Sequence, residues 1–141
     1  MSAIRFLTWD EVLDIHRRAL EAHGGQDGIR DLGSLESALA TSTATFGGEF
    51  LHEDVAAMAA AYLFHISESQ GFLDGNKRTG VAACLIFLKL NGYECTLSDN
   101  DLYDVTIGFA NHTADKSRAT AMIRPNLAKT ADPTDRPGSD A

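Results

Sequence analysis

The chain has 141 residues, of which 44% are apolar and 23% charged. This composition suits one soluble globular domain and leaves too little sequence for two. The net charge of −8 and the pI near 4.9 argue against broad electrostatic binding. We therefore expect no direct nucleic-acid partner and no membrane partner.

The N-terminus and the cysteines indicate a cytoplasmic protein. Residues 1–5 begin no apolar signal segment, and the longest apolar run, residues 81–88, is too short to span a bilayer. Cys84 and Cys95 lack metal-motif spacing, and a reducing compartment disfavours a disulfide between them. We predict a cytoplasmic location with both thiols free.

A first helix is predicted over residues 8–23. Thr8 and Glu11 have the spacing of a capping box, and Gly24-Gly25 supplies the stop. The residues expected on its apolar side are Trp9, Val12, Leu13, His16, Arg17 and Leu20.

The next stretch is rich in turn residues. Residues 26–33 are predicted to form a loop, and Ser34 to cap a short helix over residues 35–40. Threonines, glycines and aromatic residues then predict an exposed loop or small hairpin over residues 41–52.

Two long helices are predicted in the middle of the chain. Glu53 and Asp54 favour the start of a third helix, and Asn91-Gly92 favours the end of a fourth helix over residues 76–90. The fourth is apolar almost all round, which places it at the centre of a bundle. The buried stripe of the third should contain Val55, Met58, Ala59, Tyr62, Leu63 and Ile66.

The C-terminal part is predicted to be helical and then disordered. After an extended segment at residues 93–97, Ser98 or Asp99 should cap a fifth helix over residues 101–111, and a sixth should cover residues 113–127. The fifth should bury Leu102, Val105, Ile107 and Phe109.

These elements predict an all-α fold: a single-domain compact helical bundle over residues 1–128, around a central buried helix and with a small flap loop or hairpin. Residues 129–141 are polar, carry two prolines and predict a disordered tail.

The stretch with most chemistry precedes the fourth helix and contains Asp74, Gly75, Asn76, Lys77 and Arg78. A helix N-terminus with a glycine and two cations is typical of phosphate binding. Asp74 is placed to hold Mg²⁺ against those phosphates, because magnesium needs only one or two protein carboxylates.

Each of these residues also has an ordinary structural explanation. Asp-Gly is a common turn, Asn76 a common N-cap and Lys-Arg a common solvated pair, so a plain helical interaction domain is one alternative. Because they form one block with a basic pair in an otherwise acidic chain, a functional role is favoured over these structural explanations. The Walker phosphate-binding pattern is absent.

The run Phe72-x-Asp74-Gly75-Asn76-Lys77-Arg78-Thr79 resembles the signature of the Fic/Doc (Fido) family, H-x-F-x-[DN]-[AG]-N-[GK]-R, and its Lys-Arg ending resembles the Doc branch. The resemblance covers roughly residues 4–112. Its other parts are Phe6-Leu7-Thr8, His23-Gly24-Gly25, Gly28-Ile29-Arg30-Asp31, Leu35-Glu36-Ser37-Ala38-Leu39 and Phe87-Leu88-x-Leu90-Asn91-Gly92-Tyr93.

The resemblance implies a small helical toxin of a toxin–antitoxin pair. Such proteins use ATP and Mg²⁺ to move AMP or the γ-phosphoryl group onto a protein hydroxyl, for example a threonine of elongation factor Tu. The expected partners are a cognate antitoxin and the target protein.

The resemblance also implies residue roles. Asp74 would hold Mg²⁺, Phe72 would anchor the motif in the core, and residues 41–52 would form a flap for the target peptide. The phosphate cradle would comprise Gly75, Asn76, Lys77 and Arg78.

The chain departs from the family at the first motif position, where Gln70 replaces the histidine that takes the proton from the attacking hydroxyl. Glutamine has no usable basicity, and losing a general base lowers the rate by about 10²–10⁴. We expect an attenuated transferase; the alternative is an inactive nucleotide- or peptide-binding module. Both a natural replacement and an engineered inactivation are compatible with Gln70.

No substitute base or internal inhibitor is evident. His65 lies five residues upstream, about 500° around a helix, so it faces away from position 70. We interpret His65 and His52 as packed or solvated histidines. Residues 45–50 partly match the family's inhibitory helix, [ST]-x-x-x-E-[GN], and we interpret this match as chance, which leaves inhibition to a separate antitoxin.

Overall fold

The computed structural model describes residues 4–46, 49–50, 52 and 54–130. These residues form six α-helices and two two-stranded ribbons, which confirms the all-α class. The elements are α1 (Trp9–His23), α2 (Leu32–Ser42), β1 (Thr45–Phe46), β2 (Glu49–Phe50), α3 (Val55–Ser69), α4 (Asn76–Leu90), β3 (Tyr93–Cys95), α5 (Asp99–Ala110), α6 (Lys116–Ile123), a 3₁₀ turn (Arg124–Asn126) and β4 (Leu127–Lys129).

The core lies where α3 and α4 pack together. α3 also contacts α2, α5 and α6, while α4 also contacts α1 and α5, so the two helices share the centre of the bundle. Gly80 permits their close approach, since a Cβ there would lie 2.9 Å from the Leu63 carbonyl oxygen. The bounds of α4 are those predicted.

The start of α1 confirms the capping box. The Thr8 hydroxyl accepts a hydrogen bond from the Glu11 N–H, and the Glu11 carboxylate accepts one from the Thr8 N–H at 2.8 Å. One predicted core position is wrong, because Arg17 is exposed and pairs with Asp14 and Glu21. The buried residues of α1 are Val12, Ile15, His16 and Ala19.

The predicted start of α2 is wrong by three residues. Asp31, not Ser34, is the N-cap: its carboxylate accepts the Ser34 N–H at 3.1 Å. Both residue types cap well, and the earlier one begins the helix at Leu32. The expected hairpin is confirmed by the antiparallel pairing of β1 with β2, so the two ends of the partial inhibitory motif, Thr45–Phe46 and Glu49–Phe50, are extended.

The start of α5 differs from the predicted start by two residues. Ser98 is its cap, with Asp101 completing a second capping box, so the helix begins at Asp99 instead of Asp101. Ile107 is 40% exposed and does not join the core as predicted, whereas Leu102 and Phe109 do.

The C-terminal prediction needs correction. α6 begins at Lys116, ends at Ile123 and does not reach residue 127, because Pro125 stops the helix and the chain then pairs with β3. Lys129 lies in β4, and the Thr130 N–H donates to the Gly92 carbonyl at 2.8 Å. The rest of the predicted tail, residues 131–141, lies outside the described residues.

Both cysteines are free thiols, as predicted. Cys84 is a buried free thiol and Cys95 a partly buried one, and burial raises the pKa of both. In the part of the chain that the structure describes, no helix is both long and apolar enough to cross a membrane.

Candidate functional site

The motif loop joins α3 to α4 and is closed by two side chains. Phe72 is 1% exposed, and its ring stacks on that of His16 with the centroids 3.7 Å apart. The Asn76 amide clips the loop, accepting the Phe72 N–H and donating to the Phe72 carbonyl, both at 3.0 Å. One side-chain N–H of Asn76 is thereby used, which leaves its second amide N–H and its backbone N–H as possible donors to an anion.

His16, on α1, supports the motif loop through a hydrogen bond to its backbone. This buried imidazole donates from Nε2 to the Asp74 carbonyl at 2.8 Å, 58 residues away along the chain. From the sequence, His16 is expected only on an apolar helix face. No local signal reveals the contact, because it exists only when α1 packs against the motif loop.

Residues 26–31 flank the motif loop along its length. The Leu73 N–H donates to the Gly28 carbonyl at 2.9 Å, and the Arg30 N–H donates to the Gly71 carbonyl at 2.7 Å. The Gln26 N–H donates to Oδ2 of Asp74 at 2.7 Å. One carboxylate oxygen of Asp74 is thereby held, while Oδ1 makes no hydrogen bond within the described residues.

The N-terminus of α4 differs from those of the other five α-helices. Its N-cap is Gly75, at φ 82°, with no side-chain cap, whereas a Thr, Ser or Asp side chain caps each of the others. The first-turn N–H groups lack intrahelical partners. The first turn contains Lys77 and Arg78 but no acid. This end of α4 thus has no side-chain cap and is positively charged.

An open cavity of about 540 Å³ lies at this end of α4. Among the described residues, no carboxylate lies within 4.0 Å of the Lys77 or Arg78 charged groups, so both charges remain available. The Arg78 guanidinium lies over the Tyr103 ring, 3.8 Å from its centroid. The cavity is lined by His23, Gly24, Gly25, Leu73, Asp74, Gly75, Asn76, Lys77, Arg78 and Tyr103.

The donor set fits a metal that arrives with phosphate. Within the described ranges, no three His, Cys, Asp or Glu side chains converge as a metal site. Among the described residues that line the cavity, Asp74 is the one carboxylate, and one of its oxygens makes no hydrogen bond. Magnesium is commonly held by one or two carboxylates, substrate phosphates and water, so these residues fit a nucleotide-bound Mg²⁺.

Gln70 is in the same loop but is not one of the residues that line the cavity. It ends α3 in the left-handed conformation at φ 51°, and Arg30 grips it twice: Nε donates to the Gln70 carbonyl at 3.0 Å and Nη2 to Oε1 at 3.1 Å. Because arginine has no acceptor, the amide oxygen must face it. The Gln70 amide can then offer its N–H donors to an incoming group, while its oxygen is already engaged by Arg30.

His65 and His52 are engaged elsewhere. Nε2 of His65 and of His52 lie 3.0 and 3.2 Å from Nζ of Lys116. Burial, and then the Lys116 charge, lower the pKa of His65 to about 4, and the same causes lower the pKa of His52. Of the two interpretations, packed or solvated, both histidines fit the first: His52 is buried, His65 is partly buried, and both contact Lys116.

Comparison with known proteins identifies the family. The family model described as Fic/DOC matches residues 6–88, which is more than half of the chain. The chain belongs to the Fic/DOC family. The match covers α1 to α3, the motif loop and α4 up to residue 88, and ends before α5.

Two relatives make it a Doc-like member. Protein kinase doc of Escherichia phage P1 is 27% identical over 121 residues, which are 86% of this chain and 94% of that protein. Toxin Doc of Mycolicibacterium smegmatis is 38% identical over 73 residues, 52% of this chain and 56% of the toxin.

Proposed function

We propose that this chain is a Doc-like toxin that transfers a phosphoryl group, or a nucleotidyl group, from Mg-ATP to a hydroxyl of a target protein. The observation that carries this proposal is the uncapped N-terminus of α4. Among the described residues, Lys77 and Arg78 have no ion-pair partner there, and they line the same cavity as Asp74. The relative named a protein kinase favours phosphoryl over nucleotidyl transfer.

In this proposal the α4 terminus binds the phosphates. The first-turn N–H groups and the two cations bind oxygens and offset their charge, and Asp74 holds Mg²⁺, which supplies further charge neutralisation when bound. The target oxygen bonds to phosphorus as the bond to the leaving group breaks, releasing ADP, or pyrophosphate if AMP is moved. The hydroxyl proton is lost to solvent.

We propose that transfer is attenuated because position 70 supplies no base. With its oxygen held by Arg30, Gln70 can donate a hydrogen bond to the target oxygen or to a phosphoryl oxygen but cannot accept the proton. Phosphoryl transfer depends mainly on positioning and charge neutralisation, which supports slow residual turnover.

A second candidate is an inactive nucleotide- or peptide-binding module. The double contact of Arg30 with Gln70 favours it, because the arginine stabilises a glutamine oxygen at the position where a base would act. In that case ATP binds and no group moves.

The proposed partners follow from the relative named a toxin. We propose a cognate antitoxin that covers the site, a hydroxyl of a translation factor such as elongation factor Tu as the target, and action in the cytoplasm. Co-purification with a tagged product of the neighbouring reading frame would test the antitoxin.

Labelled transfer separates the two candidates. The purified chain and its Gln70→His variant are incubated with Mg²⁺, cell extract and either γ-³²P or α-³²P ATP. If the chain is a Doc-like toxin, a protein in the extract should become labelled, and the rate of labelling should be about 10²–10⁴ higher with the variant. Expression of the variant should then arrest growth. Label from γ-³²P alone indicates phosphoryl transfer. ATP binding without label in either protein would establish the inactive module.

A further inference from the structure

Tyr103 is the one residue of α5 that lines the phosphate cavity among the described residues. It lies 15 residues beyond the end of the family match at residue 88, so the motif gives it no role. Its ring contacts Arg78, a first-turn residue of α4, through a guanidinium carbon 3.8 Å from the ring centroid.

This contact orients Arg78 without neutralising it. A carboxylate partner would fix the guanidinium but would also occupy its N–H donors and cancel its charge. An aromatic face attracts the cation through its quadrupole and leaves the five N–H donors for other acceptors. Arg78 is therefore held in place and still charged.

Of the two first-turn cations of α4, only Arg78 has this ring contact among the described residues. Lys77, the other first-turn cation, has no such ring contact within the described residues, and an ammonium on a flexible stem binds phosphate as a point charge. Arg78 is partly buried at the junction of α4 and α5. Its planar fork benefits from a fixed orientation, because two parallel hydrogen bonds need a defined plane.

We propose that Tyr103 is a positioning residue that holds Arg78 in the orientation that grips a nucleotide phosphate; this rests on the proposed function. The ring acts through Arg78 and needs no contact with the nucleotide itself. The opposite role, in which the ring keeps Arg78 away from the ligand, predicts the opposite change in affinity.

The test compares Tyr103→Leu with Tyr103→Phe, which retains the aromatic face. Calorimetric titration with Mg-ATP should give an affinity about 3- to 30-fold weaker for Tyr103→Leu and within twofold of the original for Tyr103→Phe. In an Arg78→Leu background, Tyr103→Leu should have no further effect. Thermal unfolding of each variant establishes that the protein is folded.

A second readout needs no nucleotide. The Nε–H resonance of Arg78 should be shifted upfield by the Tyr103 ring, and this shift should disappear in Tyr103→Leu and persist in Tyr103→Phe. Unchanged or tighter Mg-ATP binding by Tyr103→Leu would overturn the role of Tyr103 while leaving the proposed function intact. Failure of the original chain to bind Mg-ATP would overturn both, whatever the resonance shows.

Discussion

Two helix starts that belong to contacting helices, α1 and α4, are built in opposite ways. At α1, the capping box satisfies the N–H groups of Thr8 and Glu11, and Asp10 and Glu11 add negative charge where the helix dipole favours it. At α4, Gly75 caps nothing, and the first turn carries Lys77 and Arg78. The α1 start is capped and negatively charged, whereas the α4 start has no side-chain cap and leaves positive charge for an external anion.

The contrast predicts which features stabilise the protein and which are available for binding. The carboxylate of Glu11 has a lowered pKa because it accepts the Thr8 N–H and then because it pairs with Arg5. The cations of α4 have no such internal partner among the described residues, apart from the Tyr103 ring. Stability and binding should therefore respond to different substitutions.

The largest predicted effect is on nucleotide affinity when the charge at α4 is reversed. Lys77→Glu should weaken Mg-ATP binding by at least about 100-fold, because it removes a charge-assisted contact and repels phosphate. It should also raise the free energy of unfolding by about 0.3–1 kcal/mol, since an acid now lies near the helix N-terminus. Calorimetry and urea unfolding measure the two effects.

The matched control for that variant is Lys89→Glu, in the last turn of the same helix. It makes the same change of net charge, so its affinity should stay within twofold of the original, while its stability should fall slightly. Equal loss of binding in both variants would mean that overall charge, and not the α4 start, determines affinity.

A third helix start, that of α6, shows that a cation alone is insufficient for such a site. Lys116 is its first residue, but two imidazole nitrogens contact its amine, and Asp115 caps the helix. Burial lowers the pKa of Lys116. This cation is used inside the protein.

The α6 cluster predicts a pH dependence of stability. The unfolded chain protonates its histidines near pH 6.5, whereas His65 in the folded chain resists protonation until about pH 4. The unfolded state therefore binds more protons between these values, and the free energy of unfolding should fall by roughly 1–3 kcal/mol as the pH drops from 6.5 to 4.

Urea unfolding across this range, compared with a His52→Gln/His65→Gln variant, isolates the effect from the titration of carboxylates. The glutamines can still accept hydrogen bonds from Lys116 but do not titrate. The variant should show a shallower decline in stability. Identical slopes in both proteins would contradict the assigned shift.

The smallest predicted effect concerns the completed start of α1. Thr8→Ala removes the side-chain cap and should lower the free energy of unfolding by about 1 kcal/mol. Mg-ATP affinity should not change, because Thr8 does not line the cavity. Thr8→Ser, which keeps the cap, should retain the original stability; a loss of affinity in Thr8→Ala would contradict the separation of roles.

The sequence predicted features whose signals are local. The Thr8 capping box, the bounds of α4 and the hairpin near residue 45 all depend on neighbouring residues with distinct backbone preferences. Competing local signals caused the error at α2, where Asp31 and Ser34 are both good caps and the sequence alone does not rank them.

Features that depend on distant residues were not predictable. Strand β4 forms because β3 offers a pairing edge more than 30 residues earlier, and the chain between them gives no sign of it. The same holds for His16 beneath Asp74 and for Arg30 on Gln70, which are 58 and 40 residues apart. The motif indicated the candidate site from the sequence, but the contacts that support its loop depend on the fold.

The central proposal is that the α4 start and Asp74 together bind Mg-ATP, and calorimetric titration of ATP with and without Mg²⁺ tests it most directly. The original chain should bind ATP at least about tenfold more tightly with Mg²⁺. Asp74→Asn, which can still accept the Gln26 N–H, should lose that gain and retain metal-free binding. An original chain that binds no ATP, or that binds it equally with and without Mg²⁺, would contradict the proposal.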